Sequence, residues 1–334
     1  MNPETTYSIV VPVYNEEAVI HDTCRALKAV MDGIGERYEL IFVNDGSRDR
    51  TSEILQGYAR QDDHVKLIDF SRNFGHQIAI TAGMDYASGD AVVVIDADLQ
   101  DPPALIPRMI AKWREGYDVV YAKRTTRKGE TAFKRWTAHA FYRLLRAAAD
   151  VDITVDTGDF RLLDRKVCEE LRRLPEKNRY VRGLVSWVGF RQTSVEYVRD
   201  ERLAGETQYP LRKMLKLSLD GMTSFSSKPL KLSTTGGVAL MAAGVFYGLV
   251  RTGAAAFGGD FSGWQTVIFL QLLLTGFLLA SIGMAGEYIG RIYDEAKGRP
   301  LYIVRKCYGL TERSSAAERS GRGRWRGVKF IRKI

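Results

Sequence analysis

Two aspartates stand two residues apart in Ile95-Asp96-Ala97-Asp98-Leu99-Gln100, directly after the apolar run Val92-Val93-Val94. Residues i and i+2 of a strand face the same side, so both carboxylates leave the strand end together. Clustered carboxylates repel unless a cation sits between them, and oxygen ligands of this kind suit Mg2+ or Mn2+. Such an ion would bridge the protein to a diphosphate and neutralise charge on a leaving group. Asp45 ends a second apolar run, Ile41-Phe42-Val43, and leads into Gly46-Ser47. A pair of solvated turn residues is the plain alternative for Asp96 and Asp98, and the buried strand before them weakens it. Asp101, before Pro102-Pro103, and Asp49, before Thr51-Ser52-Glu53, read instead as helix N-caps.

The elements that must position these acids are legible in the first 200 residues. Tyr7–Val13, Glu39–Val43, Val65–Phe70, Ala91–Ile95 and Asp118–Ala122 read as strands, several without alternation, as in strands covered on both faces. Ala18–Met31, Thr51–Ala59, Gln77–Ala87 and Pro103–Glu115 read as the helices between them. This alternation predicts an α/β fold, a mainly parallel sheet with helices on both faces, whose ligands bind at the carboxyl ends of the strands. No GxxxxGK[ST], strand-to-helix GxGxxG or GxSxG is present, which removes the P-loop, dinucleotide and serine-hydrolase classes.

At 334 residues, 45% hydrophobic and 27% charged, the chain is a folded protein rather than a disordered one. Cys24, Cys168 and Cys307 form no CxxC knuckle, and four scattered histidines argue against a histidine zinc site. The polar start Met1–Thr6 runs into a strand, so no cleaved signal peptide is expected. Of the net charge of +9, residues 305–334 carry +8, so the body is balanced and nucleic-acid binding is not expected. Leu232–Val250 and Phe261–Gly286 are free of charge and read as two membrane spans. Cations on both outer flanks, among them Lys228, Lys231, Arg291 and Lys297, predict that the catalytic half and both termini lie on the cytoplasmic side of a multi-pass inner-membrane protein. Thr207–Lys228 and Phe133–Ala149 are amphipathic with interleaved cations, suited to an anionic surface or to packing on their own domain. Gly244 and Gly248 form a small-residue spacing that fits helix packing within one chain or in a homo-oligomer.

With Val11-Pro12-Val13-Tyr14-Asn15-Glu16-Glu17, Asn44-Asp45-Gly46-Ser47, Ser71-Arg72-Asn73-Phe74-Gly75 and Asp96-Ala97-Asp98-Leu99-Gln100-Asp101-Pro102, the chain resembles inverting family 2 glycosyltransferases of GT-A fold. Asp156-Thr157-Gly158-Asp159-Phe160-Arg161-Leu162 and Glu201–Tyr209 make it similar to the polyprenyl-phosphate branch: dolichyl-phosphate mannose synthases and bacterial undecaprenyl-phosphate glucosyltransferases. Gln208 departs from the lysine usual before that tyrosine, and the basic extension after Tyr308 lies outside the shared pattern. Together with the charge pattern, the expected division is a GT-A domain over 1–206, juxtamembrane helices over 207–230, two spans in 231–290 (about 232–252 and 262–287) and a cytosolic basic tail over 291–334. The resemblance implies that Pro12, Tyr14, Glu16 and Asp45, with Asp96, hold the nucleotide sugar. Asp96, Asp98 and Gln100 would surround the metal, and Arg124, Arg127, Arg161 and Arg202 would meet the acceptor phosphate. Asp159 is the implied catalytic carboxylate, beside Asp98, with Asp156 in reserve.

The implied reaction moves a hexose, from UDP-glucose or alternatively GDP-mannose, to undecaprenyl phosphate, giving a lipid-linked sugar for cell-envelope glycans. A phosphate monoester has a second pKa of about 6 and is anionic near neutrality, so the nucleophile needs no strong base. The site must instead hold two anions together. Two rivals are a processive polysaccharide synthase, which lacks support because no QxxRW occurs, and a non-catalytic nucleotide- or lipid-binding scaffold, which the intact acids disfavour.

Overall fold

In the computed structural model, which describes residues 5–124, 157–174, 176–197, 228–256 and 263–310, eight strands form one sheet. They are β1 (Thr6–Val13), β2 (Arg37–Asn44), β3 (Val65–Phe70), β4 (Ala91–Val94), β5 (Val119–Arg124), β6 (Thr157–Asp164), β7 (Gln192–Tyr197) and β8 (Val304–Tyr308), in spatial order β7-β5-β6-β4-β1-β2-β3-β8. β1, β2, β3 and β4 pair parallel, as do β5 and β7, while β6 and β8 run antiparallel to their neighbours. The α/β fold with a mainly parallel sheet is therefore as expected.

The runs without alternation are explained by burial on both faces. Ile9, Val11, Leu40 and Phe42 enter one core with α1 (Ile20–Ile34), α2 (Thr51–Gln61) and α4 (Ile106–Arg114). Val10, Ile41 and Val43 enter the other with α3 (His76–Tyr86), α5 (Arg165–Arg173) and α6 (Val181–Trp187). α1 buries Ile20, Thr23, Cys24, Leu27 and Met31, one stripe at helical spacing, and stops at Gly35, whose φ of 74° is the left-handed cap conformation. Each fully buried Leu or Phe contributes about 1.5–3 kcal/mol.

Lys28 of α1 donates to Asp62 just past α2, where the His64 N–H also donates to Asp62 Oδ1 at 3.0 Å. Burial alone would raise this carboxyl, but the Lys28 and His64 hydrogen bonds outweigh it and hold it down at about 2. A depressed acid stabilises the fold above its unfolded pKa of about 4, and that contribution is lost as pH falls through about 2. Asp62→Asn is expected to remove about 1 kcal/mol of stability at neutral pH, a figure reduced by screening around half-exposed Lys28, and to flatten the acid limb between pH 4 and 2. Urea titrations across that window check it.

The charge-free stretches form α7 (Lys228–Ala256) and α8 (Trp264–Ala296), which pack on one another. Phe277 lies where a Cβ on Gly236 or Gly237 would come within 3.0 Å, and Ser233 donates to Ser281 at 2.6 Å. Gly244, one of the two expected packing glycines, has nothing within 4 Å of its Cβ position. The expected membrane crossing is corrected here: among the described residues no helix is long and apolar enough to cross a membrane. Crossing needs about 20 predominantly apolar residues, and freedom from charge is a weaker condition than that. Ser233, Thr234, Thr235, Gly236 and Gly237 interrupt α7, and Gln271, Thr275 and Gly276 interrupt α8. The multi-pass inner-membrane placement accordingly does not stand. After α8 the chain returns to the sheet. The Lys177 N–H donates to Glu295 Oε1 at 2.6 Å, Tyr302 stacks on Phe70 at 5.2 Å, and β8 adds itself to the β3 edge.

Candidate active site

The parallel strands β1, β2 and β4 end together, and the loops beyond them are laced by short polar contacts. Pro12 is buried in β1, Tyr14 and Glu16 are half-buried just past it, and the Asn15 φ of 56° turns the chain between them. The Asn15 N–H donates to Ser47 Oγ at 3.0 Å, and the Glu16 N–H donates to Thr51 Oγ1 at 2.9 Å. Asp45, at the β2 end, accepts from the Phe74 and Gly75 N–H groups at 2.6 and 2.9 Å. Burial raises its carboxyl, and those two bonds partly offset the shift. Asp45 thus fastens the loop of Ser71–Gly75 onto β2, beside any nucleotide role.

Gly46 makes that approach sterically feasible. Its φ is 69°, and a Cβ there would lie 2.5 Å from the Arg72 carbonyl carbon and 2.6 Å from the Asn73 nitrogen. Gly46→Ala is expected to cost at least about 2 kcal/mol, combining left-handed strain with a backbone clash, and to weaken nucleotide binding as the Asp45 clasp opens. Chemical denaturation and a nucleotide titration report the two effects.

Asp96 and Asp98 follow β4 as expected. The Thr23 hydroxyl donates to the Ala97 carbonyl between them at 2.6 Å, and the Gln100 N–H donates to Asp98 Oδ1 at 3.2 Å. Leu99 holds φ at 53°, a conformation uncommon outside glycine and concentrated at functional turns. Asp101 differs from expectation. It is buried, caps no helix and accepts a short hydrogen bond from Tyr197 of β7.

β6 brings the next acid in. Val94 of β4 pairs antiparallel with Arg161, so continuing that register by two residues sets Asp159 opposite Asp96. Asp159 is 6% exposed and held from three sides. Arg182 donates through Nε to Oδ1 at 2.8 Å and through Nη2 to Oδ2 at 3.1 Å, Gln77 Nε2 donates to Oδ2 at 3.2 Å, and His76 Nε2 is 3.3 Å from Oδ2. The same His76 nitrogen lies 3.4 Å from Asp96 Oδ1. Burial works against every charge in this group. For Asp159 the Arg182 charge and the His76 bond outweigh it, holding the carboxyl well below the usual range. For His76 the Asp159 bond and both carboxylates outweigh it, lifting the imidazole to about 9. For Asp96 burial wins against the His76 charge and raises it to about 6.

Arg161 is 4% exposed, donates from Nη2 to the Gly158 carbonyl at 2.9 Å and leaves its buried Nε without a hydrogen-bond partner. Burial lowers its pKa to about 10. Arg124 ends β5. Asp156, Arg127 and Arg202 fall outside the described residues, as do the amphipathic stretches Thr207–Ser227 and Phe133–Ala149 and the tail from Thr311. His76, Gln77 and Arg182 are members of the site that sequence reasoning missed. The signal for the first two was their position directly after the Ser71–Gly75 motif, whereas Arg182, in Val181-Arg182-Gly183, stands in no motif.

One observation bears on a divalent ion. Asp96 Oδ1 is buried and has no hydrogen-bond partner, as befits an oxygen kept for a cation. Among the described residues no group of three or more His, Cys, Asp and Glu side chains is arranged as a metal cage. The site therefore suits the mode in which one or two carboxylates bind an ion whose remaining ligands are phosphate oxygens and water.

The family Glycosyl transferase family 2 matches residues 8–172. The uncharacterized glycosyltransferase YkcC of Bacillus subtilis (strain 168) is 64% identical over 93% of this chain and 96% of its own length. The bactoprenol glucosyl transferase of Shigella phage SfII is 42% identical over 90% of this chain and 98% of its own. Among solved structures, glucosyl-3-phosphoglycerate synthase from Mycobacterium tuberculosis, in complex with Mn2+, uridine diphosphate and phosphoglyceric acid, is 22% identical with a TM-score of 0.47, covering 66% of this chain and 76% of that one.

Proposed function

Since the chain belongs to glycosyl transferase family 2, we propose that it transfers glucose from UDP-glucose to a polyprenyl phosphate, undecaprenyl phosphate in particular, with inversion at the anomeric carbon. The end-to-end similarity to a bactoprenol glucosyl transferase supports the acceptor class. The observation that supports the chemistry is Asp96 Oδ1, buried without a hydrogen bond and 3.4 Å from His76 Nε2, beside the locked Asp159 cluster at the strand ends. In this reading Pro12, Tyr14, Glu16 and Asp45 would hold the nucleotide, Asp96, Asp98 and Gln100 would hold Mg2+ or Mn2+, and Arg124 and Arg127 are assigned to the acceptor phosphate. When bound, the ion neutralises charge on the departing diphosphate.

The residues themselves supply orientation and charge. Asp159 acts as a fixed anion rather than a proton acceptor, because its carboxyl is held far below neutral by Arg182 and His76. The reaction tolerates that, since an acceptor phosphate is already anionic near neutral pH. Its oxygen attacks the anomeric carbon as the bond to the nucleotide diphosphate breaks, and no proton need move. Holding two anionic reactants in line is the main contribution of the site. A donor screen with the full chain, undecaprenyl phosphate and either UDP-glucose or GDP-mannose tests the proposal. Formation of a polyprenyl-phosphate glucose of inverted configuration is expected. No transfer from any nucleotide sugar, or retained configuration, would overturn it.

A further inference from the structure

Resting on the polyprenyl-phosphate acceptor proposed above, we infer that Arg182, fixed by Asp159, is a binding residue for the phosphate monoester of the acceptor. A guanidinium carries five N–H donors in a rigid fork. Asp159 engages one edge, taking Nε–H and one Nη2–H in a bidentate pair. The opposite edge, with the Nη1 donors, is left over, and the side chain keeps 29% of its surface exposed whereas Asp159 keeps 7%. An arginine pinned along one edge and open along the other is pre-organised to take a second oxyanion, since its orientation is already fixed.

Charge on the page favours the acceptor over the donor. The donor diphosphate falls to Asp96 and Asp98 with their ion, whereas the acceptor phosphate brings a further negative charge and needs protein cations of its own. Three described cations surround Asp159. His76 divides Nε2 between Asp96 and Asp159, and Arg161 is 4% exposed with Nη2 on the Gly158 carbonyl. Arg182 offers the guanidinium edge that Asp159 leaves over, on a side chain 29% exposed, while His76, 37% exposed, has its Nε2 committed to the two acids.

The test measures Michaelis constants for both substrates in Arg182→Lys and Arg182→Gln. Losing one charged hydrogen bond predicts a rise of about ten- to a hundredfold in the acceptor constant, with the donor constant within about twofold. Lysine keeps the charge beside Asp159 but cannot serve both anions, so it should share the defect while guarding the fold, which a thermal midpoint verifies. Inorganic phosphate should compete with the acceptor in the unaltered protein and lose potency in parallel in Arg182→Lys. A lipid-tail contact would instead leave phosphate inhibition untouched, and that result overturns the inference. So does a rise confined to the donor constant, or a drop in the midpoint with both constants rising together. Absence of transfer to polyprenyl phosphate by the unaltered protein sinks the underlying function and this inference with it. Transfer with an unchanged acceptor constant in the variants sinks the Arg182 assignment alone.

Discussion

Asp96→Asn is expected to lower sugar transfer at least about a hundredfold while leaving the thermal midpoint unchanged or raised. The substitution keeps shape and volume but removes the charge that an ion on the diphosphate requires. It also removes a carboxylate that burial disfavours, the cause of its elevation to about 6, which offsets the lost attraction to His76 at 3.4 Å. His76 keeps Asp159 as partner at 3.3 Å. Activity falling without stability is the mark of a residue retained for function. Chelating divalent ions from the unaltered protein should reproduce the loss. Full transfer under chelation, or in Asp96→Asn, would remove the metal from the mechanism.

Asp159→Ala is expected to abolish transfer and to destabilise the protein by about 3–5 kcal/mol, the usual cost of removing one partner from a buried ion pair. Arg182 would lose both hydrogen bonds, and Gln77 would lose its acceptor, although its Oε1 still accepts from the Val181 N–H at 3.0 Å. Asp159→Asn separates the two effects. It keeps the side-chain shape and one acceptor oxygen, so it should recover part of the stability while transfer stays low, because an amide does not hold Arg182 by charge. Equilibrium unfolding and initial rates on the same preparations decide the matter. A fully active Asp159→Asn would show that the carboxylate serves the fold alone.

The Asp96–Asp159 centre depends on distant parts of the chain in ways these variants make measurable. Thr23 of α1 fixes the Ala97 carbonyl, Tyr197 of β7 reaches Asp101, and Asp45 clasps the loop from which His76 follows. The Thr23 and Asp45 contacts hold backbone, and the Tyr197 contact holds the Asp101 side chain, beside the chemical groups rather than the groups themselves. Changes at these supports should therefore alter turnover through geometry.

Local pattern alone determined a good deal of this protein. The order of β1 to β5 with their intervening helices, burial of the sheet on both faces and the positions of Asp45, Asp96 and Asp98 at the strand ends all follow from runs of apolar residues and the breaks between them, which are properties of neighbours in the chain. The tertiary structure decided the rest. It inserted β6 antiparallel between β4 and β5, added β8 to the far edge, and gathered Gln77, Arg182 and Asp159, of which the first and last are 82 residues apart. It also corrected the two charge-free stretches, which are helices but not, among the described residues, membrane spans. Strand pairing and a buried charge cluster leave no periodic trace in the sequence, because their energy resides in contacts between segments whose separation along the chain is arbitrary.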